Sequence, residues 1–290
     1  MSVYTRKASF RFIDSDIHPS VGNLEKLYPY MTSEWKRRFE FQKIDITKLK
    51  LPDRYVHPAG GVIRTDAAPP GGGEAASDPE YAIEHYLDAL RPEKTVLIPL
   101  QPASTVSWVN VETVNTVVSA FNDYFINEWT KLDDRFTYAL CVAPHDPQSA
   151  VKEINRLGKD KGVSAVYLPL LNIRMGSSYY FPIYEAAIEH GLPIITHVTG
   201  QEASFQGSPT LAAGDPLSYI ERYVDLTQLA QANVSSLIFE GVFEKYPDLR
   251  IGFIEYGFAW LLPLMWRMNK AWKGLRIETP WVKELPSEYI

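Results

Sequence analysis

The amino-acid sequence predicts an α/β protein, a TIM-like (β/α)8 barrel in which parallel strands alternate with helices. Six short apolar runs are nearly continuous in hydrophobicity, which is typical of parallel strands covered by helices. Three of these runs break at Pro99, Pro144 and Pro169, because proline cannot continue a central hydrogen-bond ladder. The predicted strands are 9–16, 94–100, 136–144, 162–170, 192–198 and 249–257. A strand followed each time by a helix favours a barrel over an open sheet.

Helical patterns occupy the intervals between these strands. Asp78-Pro79 and Asp146-Pro147 each combine a preferred N-cap residue with proline at the first helical position. Gly191 is a typical residue for the end of a helix. The predicted helical stretches are 78–90, 107–131, 147–159, 181–190, 215–246 (two helices) and 258–273.

The 290 residues are expected to form a single domain, 1–290, with one insertion. The insertion covers about 19–77 and ends in "RTDAAPPGGGEAAS", which is too rich in Gly, Pro and Ala to pack. We interpret it as a lid, with a partner-binding arm or a disordered segment as the alternatives. After the sixth strand and its helix the sequence closes with "TPWVKELPSEYI". Because an eight-stranded barrel typically needs about 250 residues without insertions, the last two strand–helix units are expected to be lacking.

Charge, apolar content and cysteine count limit the classes of binding partner and the cellular compartment expected for this protein. A net charge of -6 without a basic block argues against nucleic acid and anionic membranes. No segment is apolar enough for a signal peptide or a membrane span. The single cysteine, Cys141, lies in the apolar run "YALCVAP", which predicts a buried, inert thiol and fits a reducing, cytoplasmic location. The expected partner is a small-molecule substrate, and the Trp-rich stretch 258–273 is compatible with a homo-oligomer.

The candidate site residues lie at the carboxyl ends of the strands, where the active sites of barrels are found. "FRFIDSDIHPS" carries Asp14, Asp16 and His18 two residues apart, so a strand would present all three on one face. His197 ends the fifth run and Glu255 the sixth. Asp, Glu and His are ligands suited to zinc or manganese. The pattern therefore predicts a divalent metal site.

Other interpretations of these residues stay open at this stage. Asp14 is equally well explained as a structural hydrogen-bond acceptor, His197 as a core histidine, and Glu255 as the partner of a nearby arginine. Arg174, in "LLNIRMGSSYY" after the fourth strand, is a candidate anchor for a substrate carboxylate, or one half of a loop ion pair.

Three segments together resemble the amidohydrolase-related, decarboxylase-like branch of the amidohydrolase superfamily. They are "FIDSDIHPS", "LPIITHVTG" and "LIFEGVFEKYPDLRIGFIEYGFAWLLPLMWRMNKAW". The resemblance extends over essentially the whole chain and implies a metal-dependent (β/α)8 barrel. It assigns Asp16, His18 and His197 to the metal, with Asp16 and Glu255 standing where many relatives carry histidine. The fourth run, "VYLPL", has no lysine to carbamylate, which implies a mononuclear site.

The resemblance implies that relatives carry one more metal ligand, an aspartate at the end of the eighth strand that also activates water, and this sequence ends before that position. The resemblance thus implies either a truncated chain or a barrel completed by another chain. The leading hypothesis is a hydrolase or carboxy-lyase that uses one divalent ion, zinc or else manganese, on a small carboxylated or aromatic substrate. Glu255 and Arg174 would act in catalysis. The alternative is a non-catalytic or incomplete barrel that binds a metal or ligand, or needs a partner chain.

Overall fold

The computed structural model describes residues 11–43, 66–198, 212, 214 and 216–290. In these residues six strands form one parallel sheet whose spatial order follows the chain, β1 to β6. The strands are β1 (Ile13–Ile17), β2 (Lys94–Leu97), β3 (Phe136–Cys141), β4 (Val163–Tyr167), β5 (Ile194–His197) and β6 (Ile251–Ile254). Each corresponds to one predicted run, and the predicted α/β class is confirmed. β2, β3 and β4 all end shortly before the proline of their run.

Helices connect the strands, as the sequence pattern predicts. They are α1 (Ser33–Gln42), α2 (Pro79–Ala82, a π-helical turn Ile83–Leu87, and Asp88–Leu90), α3 (Leu100–Ala103), α4 (Val111–Phe125, continued by the π-helical turn Ile126–Thr130), α5 (Pro147–Leu157), α6 (Phe181–Glu189), α7 (Tyr219–Asp225), α8 (Thr227–Phe239), α9 (Val242–Lys245) and α10 (Leu261–Leu275). Short 3-10 turns occur at Leu24–Tyr30, Ser104–Ser107, Ser178–Tyr180, Arg276–Glu278 and Pro286–Tyr289.

Capping explains where two of these helices begin, and a glycine explains one difference from prediction. The side chains of Asp78 and Asp146 accept hydrogen bonds from backbone N–H groups at the start of α2 and α5.

The stretch 215–246 contains three helices, not two. Gly241, at φ 72°, adopts the left-handed conformation between α8 and α9, which ends one helix and starts the next.

The insertion contributes to the core with its first part. Val21, Leu27 and Phe39 are buried and belong to the main apolar cluster beneath the helices. These three side chains anchor the first part of the insertion to the core, which the Gly- and Pro-rich end of the insertion did not suggest. Residues 44–65 lie outside the described part of the chain, and a lid role stays a prediction.

Two further sequence predictions can be compared with the structure. Cys141 is fully buried in β3, as predicted, and this burial raises the pKa of its thiol, so that it stays protonated. Among the described residues, the helices are too short or too polar to cross a membrane.

Candidate metal centre

The sheet is rolled up, and this brings side chains from its two edge strands together. β1 and β6 lie at opposite edges of the strand order, which in a flat sheet would separate them by roughly 24 Å. Nevertheless, His18 Nε2, just after β1, lies 3.9 Å from Glu255 Oε2, just after β6. Such an approach requires the curvature of a barrel wall. The carboxyl ends of β1, β5 and β6 therefore face one common point.

Four side chains meet at that point: Asp16, His18, His197 and Glu255. One donor atom from each lies within 4.8 Å of the others. His197 Nε2 is 2.8 Å from Glu255 Oε2 and 3.2 Å from Asp16 Oδ1, and His18 Nε2 is 3.5 Å from Asp16 Oδ1. Donors bound at about 2.1 Å to one tetrahedral or octahedral ion are roughly 3.0–3.4 Å apart, so these spacings suit a shared divalent ion.

The two histidines are held in the tautomer that a metal requires. His18 Nδ1 lies 3.2 Å from the Ile98 carbonyl oxygen, and His197 Nδ1 contacts the Val198 carbonyl oxygen. A carbonyl oxygen only accepts hydrogen bonds, so each Nδ1 carries the proton and donates it. In the neutral imidazole the lone pair is then on Nε2, the atom that faces the cluster. This backbone support is typical of metal-binding histidines.

Two buried atoms of the cluster lack a hydrogen-bond partner among the described residues: Asp16 Oδ1 and His197 Nε2. They lie 3.2 Å apart, and His197 Nε2 also lies 2.8 Å from Glu255 Oε2, so this nitrogen faces two carboxylates. Leaving such groups buried and unsatisfied costs about 1–3 kcal/mol each, more when charged. A cation between them would satisfy both, and the donor set therefore fits a divalent metal ion.

The charged groups around the four-donor cluster favour a cation there. Burial alone would lower the pKa of His197, but the Asp16 and Glu255 carboxylates outweigh it and raise that pKa to about 9. Burial alone would raise the pKa of Glu255, but His18, His197 and Tyr223 hold it well below its usual range. The Glu255 carboxylate, which stays ionised, lies with the Asp16 carboxyl group beside two imidazoles and attracts either a proton or a metal ion.

Tyr223 orients Glu255, and the sequence offered no signal for it. Its hydroxyl, on α7, donates a hydrogen bond to Glu255 Oε1. This bond, together with burial, raises the pKa of Tyr223 to about 12, so the hydroxyl keeps its proton. With Oε1 engaged, only Oε2 of Glu255 faces the histidines.

The backbone of Glu255 is strained. Its φ of 67° lies in the left-handed region, which costs a residue with a Cβ roughly 1–2 kcal/mol. Strained residues of this kind concentrate at functional sites, where the surrounding structure holds them. The strain aims the Glu255 side chain at the centre.

A pair of substitutions isolates this strain. Glu255→Gly and Glu255→Ala remove the same carboxylate, but only glycine accepts a positive φ without a penalty. We expect the glycine variant to be more stable than the alanine variant by about 1 kcal/mol in denaturant unfolding of metal-free protein. A glycine variant less stable than the alanine variant would show that residue 255 carries no strain, because glycine alone loses more conformational entropy on folding.

Asp14 and Arg174 do not join the four-donor cluster. Asp14 Oδ1 accepts the Asp16 backbone N–H at 3.0 Å, and its other oxygen accepts the Tyr86 hydroxyl, which is the role of a structural acceptor. Arg174 is exposed, and its Nη1 donates to the Ala232 carbonyl oxygen of α8 at 3.1 Å. Its role as a substrate anchor stays a prediction.

The fold is a curved parallel βα sheet, and its candidate metal donors lie at the carboxyl ends of the strands. These two features together are typical of metal-dependent barrel enzymes. The amidohydrolase family model matches residues 13–290, and the chain belongs to this family. No curated protein matches the sequence.

Solved structures share the fold at low sequence identity. An amidohydrolase from Mycobacterium avium subsp. paratuberculosis K-10 is 21% identical with a TM-score of 0.64, over 97% of this chain and 81% of that one. A 5-carboxyvanillate decarboxylase from Novosphingobium aromaticivorans, with bound manganese and 3-methoxy-4-hydroxy-5-nitrobenzoic acid, is 18% identical with a TM-score of 0.61, over 93% of this chain and 73% of that one. A dihydroxybenzoic acid decarboxylase from Polaromonas sp. JS666, with manganese and 2-nitroresorcinol, is 18% identical with a TM-score of 0.57, over 96% and 75%.

Proposed function

We propose that this chain is a divalent-metal-dependent carboxy-lyase that acts on a small aromatic carboxylic acid. The observation that carries the proposal is the convergence of one donor atom each from Asp16, His18, His197 and Glu255 within 4.8 Å of one another, at the carboxyl ends of three strands. The fold shared with two decarboxylases that bind manganese and substituted phenols supports the substrate class.

Asp16, His18 and His197 would hold the metal ion through Oδ1 and the two Nε2 atoms. When bound, a divalent ion supplies Lewis acidity that polarises a substrate oxygen. Imidazole and carboxylate donors suit both zinc and manganese. We favour manganese on the strength of the two manganese-containing neighbours, with zinc, the ion expected from the sequence, as the competing candidate.

The remaining polar residues would orient the substrate and the charge that develops on it. Glu255, ionised and held by Tyr223, would orient the adjacent imidazoles and keep positive charge next to the substrate, where it offsets the negative charge that develops on the ring. Arg174 would pair with the substrate carboxylate. In the reaction the bond between the ring carbon and the carboxyl carbon breaks, and its electron pair stays on the ring. A proton from solvent then replaces the departing carbon dioxide.

Hydrolysis is the second candidate function, because the same donor set is suited to activating water for attack on a carbonyl carbon. The match of the chain to the amidohydrolase family favours it. A non-catalytic metal-binding barrel is the remaining alternative.

Metal analysis and a substrate panel test these functions together. Purified protein is stripped with a chelator, reloaded with Mn²⁺ or Zn²⁺, and incubated with hydroxylated benzoic acids, including 5-carboxyvanillate and 2,6-dihydroxybenzoate, and with simple esters and amides. We expect one equivalent of metal per chain and release of carbon dioxide from an aromatic acid.

Each alternative has its own outcome in this experiment. Hydrolysis of an ester or amide without carbon dioxide release would replace the carboxy-lyase with the hydrolase. Stoichiometric metal without any turnover would favour the non-catalytic barrel. Failure to bind metal at all would overturn the enzyme proposal.

A further inference from the structure

β1 contains an irregularity immediately before the metal centre. Asp14 pairs with Thr95 of β2, but Ile17 pairs with Leu97, so three steps along β1 match two steps along β2. The extra residue is a β-bulge, a feature that bends a strand and re-aims its side chains, often next to active sites. Asp16 belongs to this bulge and His18 follows it.

The Asp14 side chain spans the bulge. Its Oδ1 accepts the Asp16 N–H at 3.0 Å, which ties the residue before the bulge to a residue within it. Its Oδ2 accepts the hydroxyl of Tyr86, which comes from the π-helical turn Ile83–Leu87 of α2. Burial, followed by the Asp14 carboxylate, raises the pKa of Tyr86, so the hydroxyl remains a donor. Both oxygens of Asp14 are therefore engaged away from the metal donors.

We propose that Asp14 and Tyr86 are a positioning pair for the metal centre. Asp14 fixes the backbone of the bulge, and Tyr86 fixes Asp14 to a helix. Together they set where Asp16 Oδ1 and His18 Nε2 stand relative to His197. The inference rests on the proposed function in that it takes Asp16 and His18 as metal ligands. It assigns neither Asp14 nor Tyr86 to the metal.

Four variants separate positioning from other roles. Asp14→Ala removes both carboxylate oxygens. Asp14→Asn keeps one oxygen that can accept the Asp16 N–H, and its NH2 group can donate a hydrogen bond to the Tyr86 oxygen. Tyr86→Phe removes only the outer contact. Tyr246→Phe is the matched control, because Tyr246 is a buried tyrosine that donates to a carboxylate, Glu185, at 2.6 Å, outside the four-donor cluster.

The main measurement is the Mn²⁺ dissociation constant of chelator-stripped protein. Outer hydrogen-bond partners of metal ligands typically contribute 10- to 100-fold to metal affinity. We expect Asp14→Ala to weaken binding by about 10- to 100-fold and Tyr86→Phe by about tenfold. Asp14→Asn and Tyr246→Phe should stay within about threefold of the wild type, because neither disturbs the bulge. Wild-type affinity in Asp14→Ala would overturn the proposal, as would an equal loss in Asp14→Asn.

Amide hydrogen exchange in metal-free protein supplies a readout that does not depend on the metal. The Asp16 amide should exchange at least about tenfold faster in Asp14→Ala and at the wild-type rate in Asp14→Asn, because only alanine removes its acceptor. An unchanged Asp16 amide in Asp14→Ala would overturn the positioning role. If the wild type fails to bind Mn²⁺, the proposed function fails, and the exchange rates still decide whether Asp14 holds the bulge.

Discussion

Replacing His197 by alanine is expected to abolish stoichiometric metal binding and to lower kcat/KM by about 10³-fold, since a bound metal supplies several kcal/mol of transition-state stabilisation. His197 is the most deeply buried donor of the cluster, with 1% of its surface exposed, and its Nε2 makes the two shortest contacts there. Alanine removes this nitrogen, and solvent has little access to replace it. The measurements are metal content after dialysis and turnover of the best substrate from the panel.

His85→Ala is the control for this variant. His85 is exposed on α2, stacks on Tyr81, and lies outside the four-donor cluster, so its loss removes an imidazole without touching the centre. It should keep both the metal and the activity. Circular dichroism of each variant confirms that it is folded before metal content is compared. Wild-type metal content in His197→Ala would show that the cluster is not the metal site.

The strands were predictable because they follow a simple periodic rule, and the same rule pointed to the polar residues at their carboxyl ends as candidate donors. A parallel strand covered on both faces reads as an unbroken apolar run, and all six such runs became strands in chain order. Polar residues at the ends of such runs have few structural reasons to be there. Asp16, His18, His197 and Glu255 were predicted on that basis, and the structure brings them within 4.8 Å of one another.

What escaped prediction depends on backbone detail that no residue pattern encodes. Strict alternation put Asp14 on the same face as Asp16, but the bulge turns it toward a backbone N–H instead. Tyr86 and Tyr223 lie in ordinary helical stretches, and only the rolled sheet brings them to Asp14 and Glu255. The sequence also did not indicate that Arg174 donates a hydrogen bond to helix α8, and its role as a substrate anchor stays a prediction.

Replacing Asn122 by alanine is expected to cost about 4 kcal/mol of unfolding free energy, because it leaves several buried polar groups without partners. Asn122 is completely buried on α4. Its Oδ1 accepts the Cys141 N–H at 3.1 Å and the Tyr138 hydroxyl at 2.9 Å, and its Nδ2 donates to the Cys141 carbonyl at 2.9 Å. The Asn122 amide thus satisfies the backbone N–H and C=O of Cys141 at the end of β3. The neighbouring strand β2 does not reach them, because it ends at Leu97, before Pro99.

Asn115→Ala on the same helix is the matched control, because that amide makes one long contact of 3.4 Å with Asp146. Its loss should cost less than about 1 kcal/mol. Denaturant unfolding of metal-free protein measures both variants on one scale. Because Asn122 lies outside the four-donor cluster, Asn122→Ala should lower stability while the folded fraction keeps its wild-type affinity for Mn²⁺. Equal costs for the two asparagines would mean that other groups or water satisfy the end of β3. A fall in metal affinity of the folded Asn122 variant would instead couple this buried network to the centre.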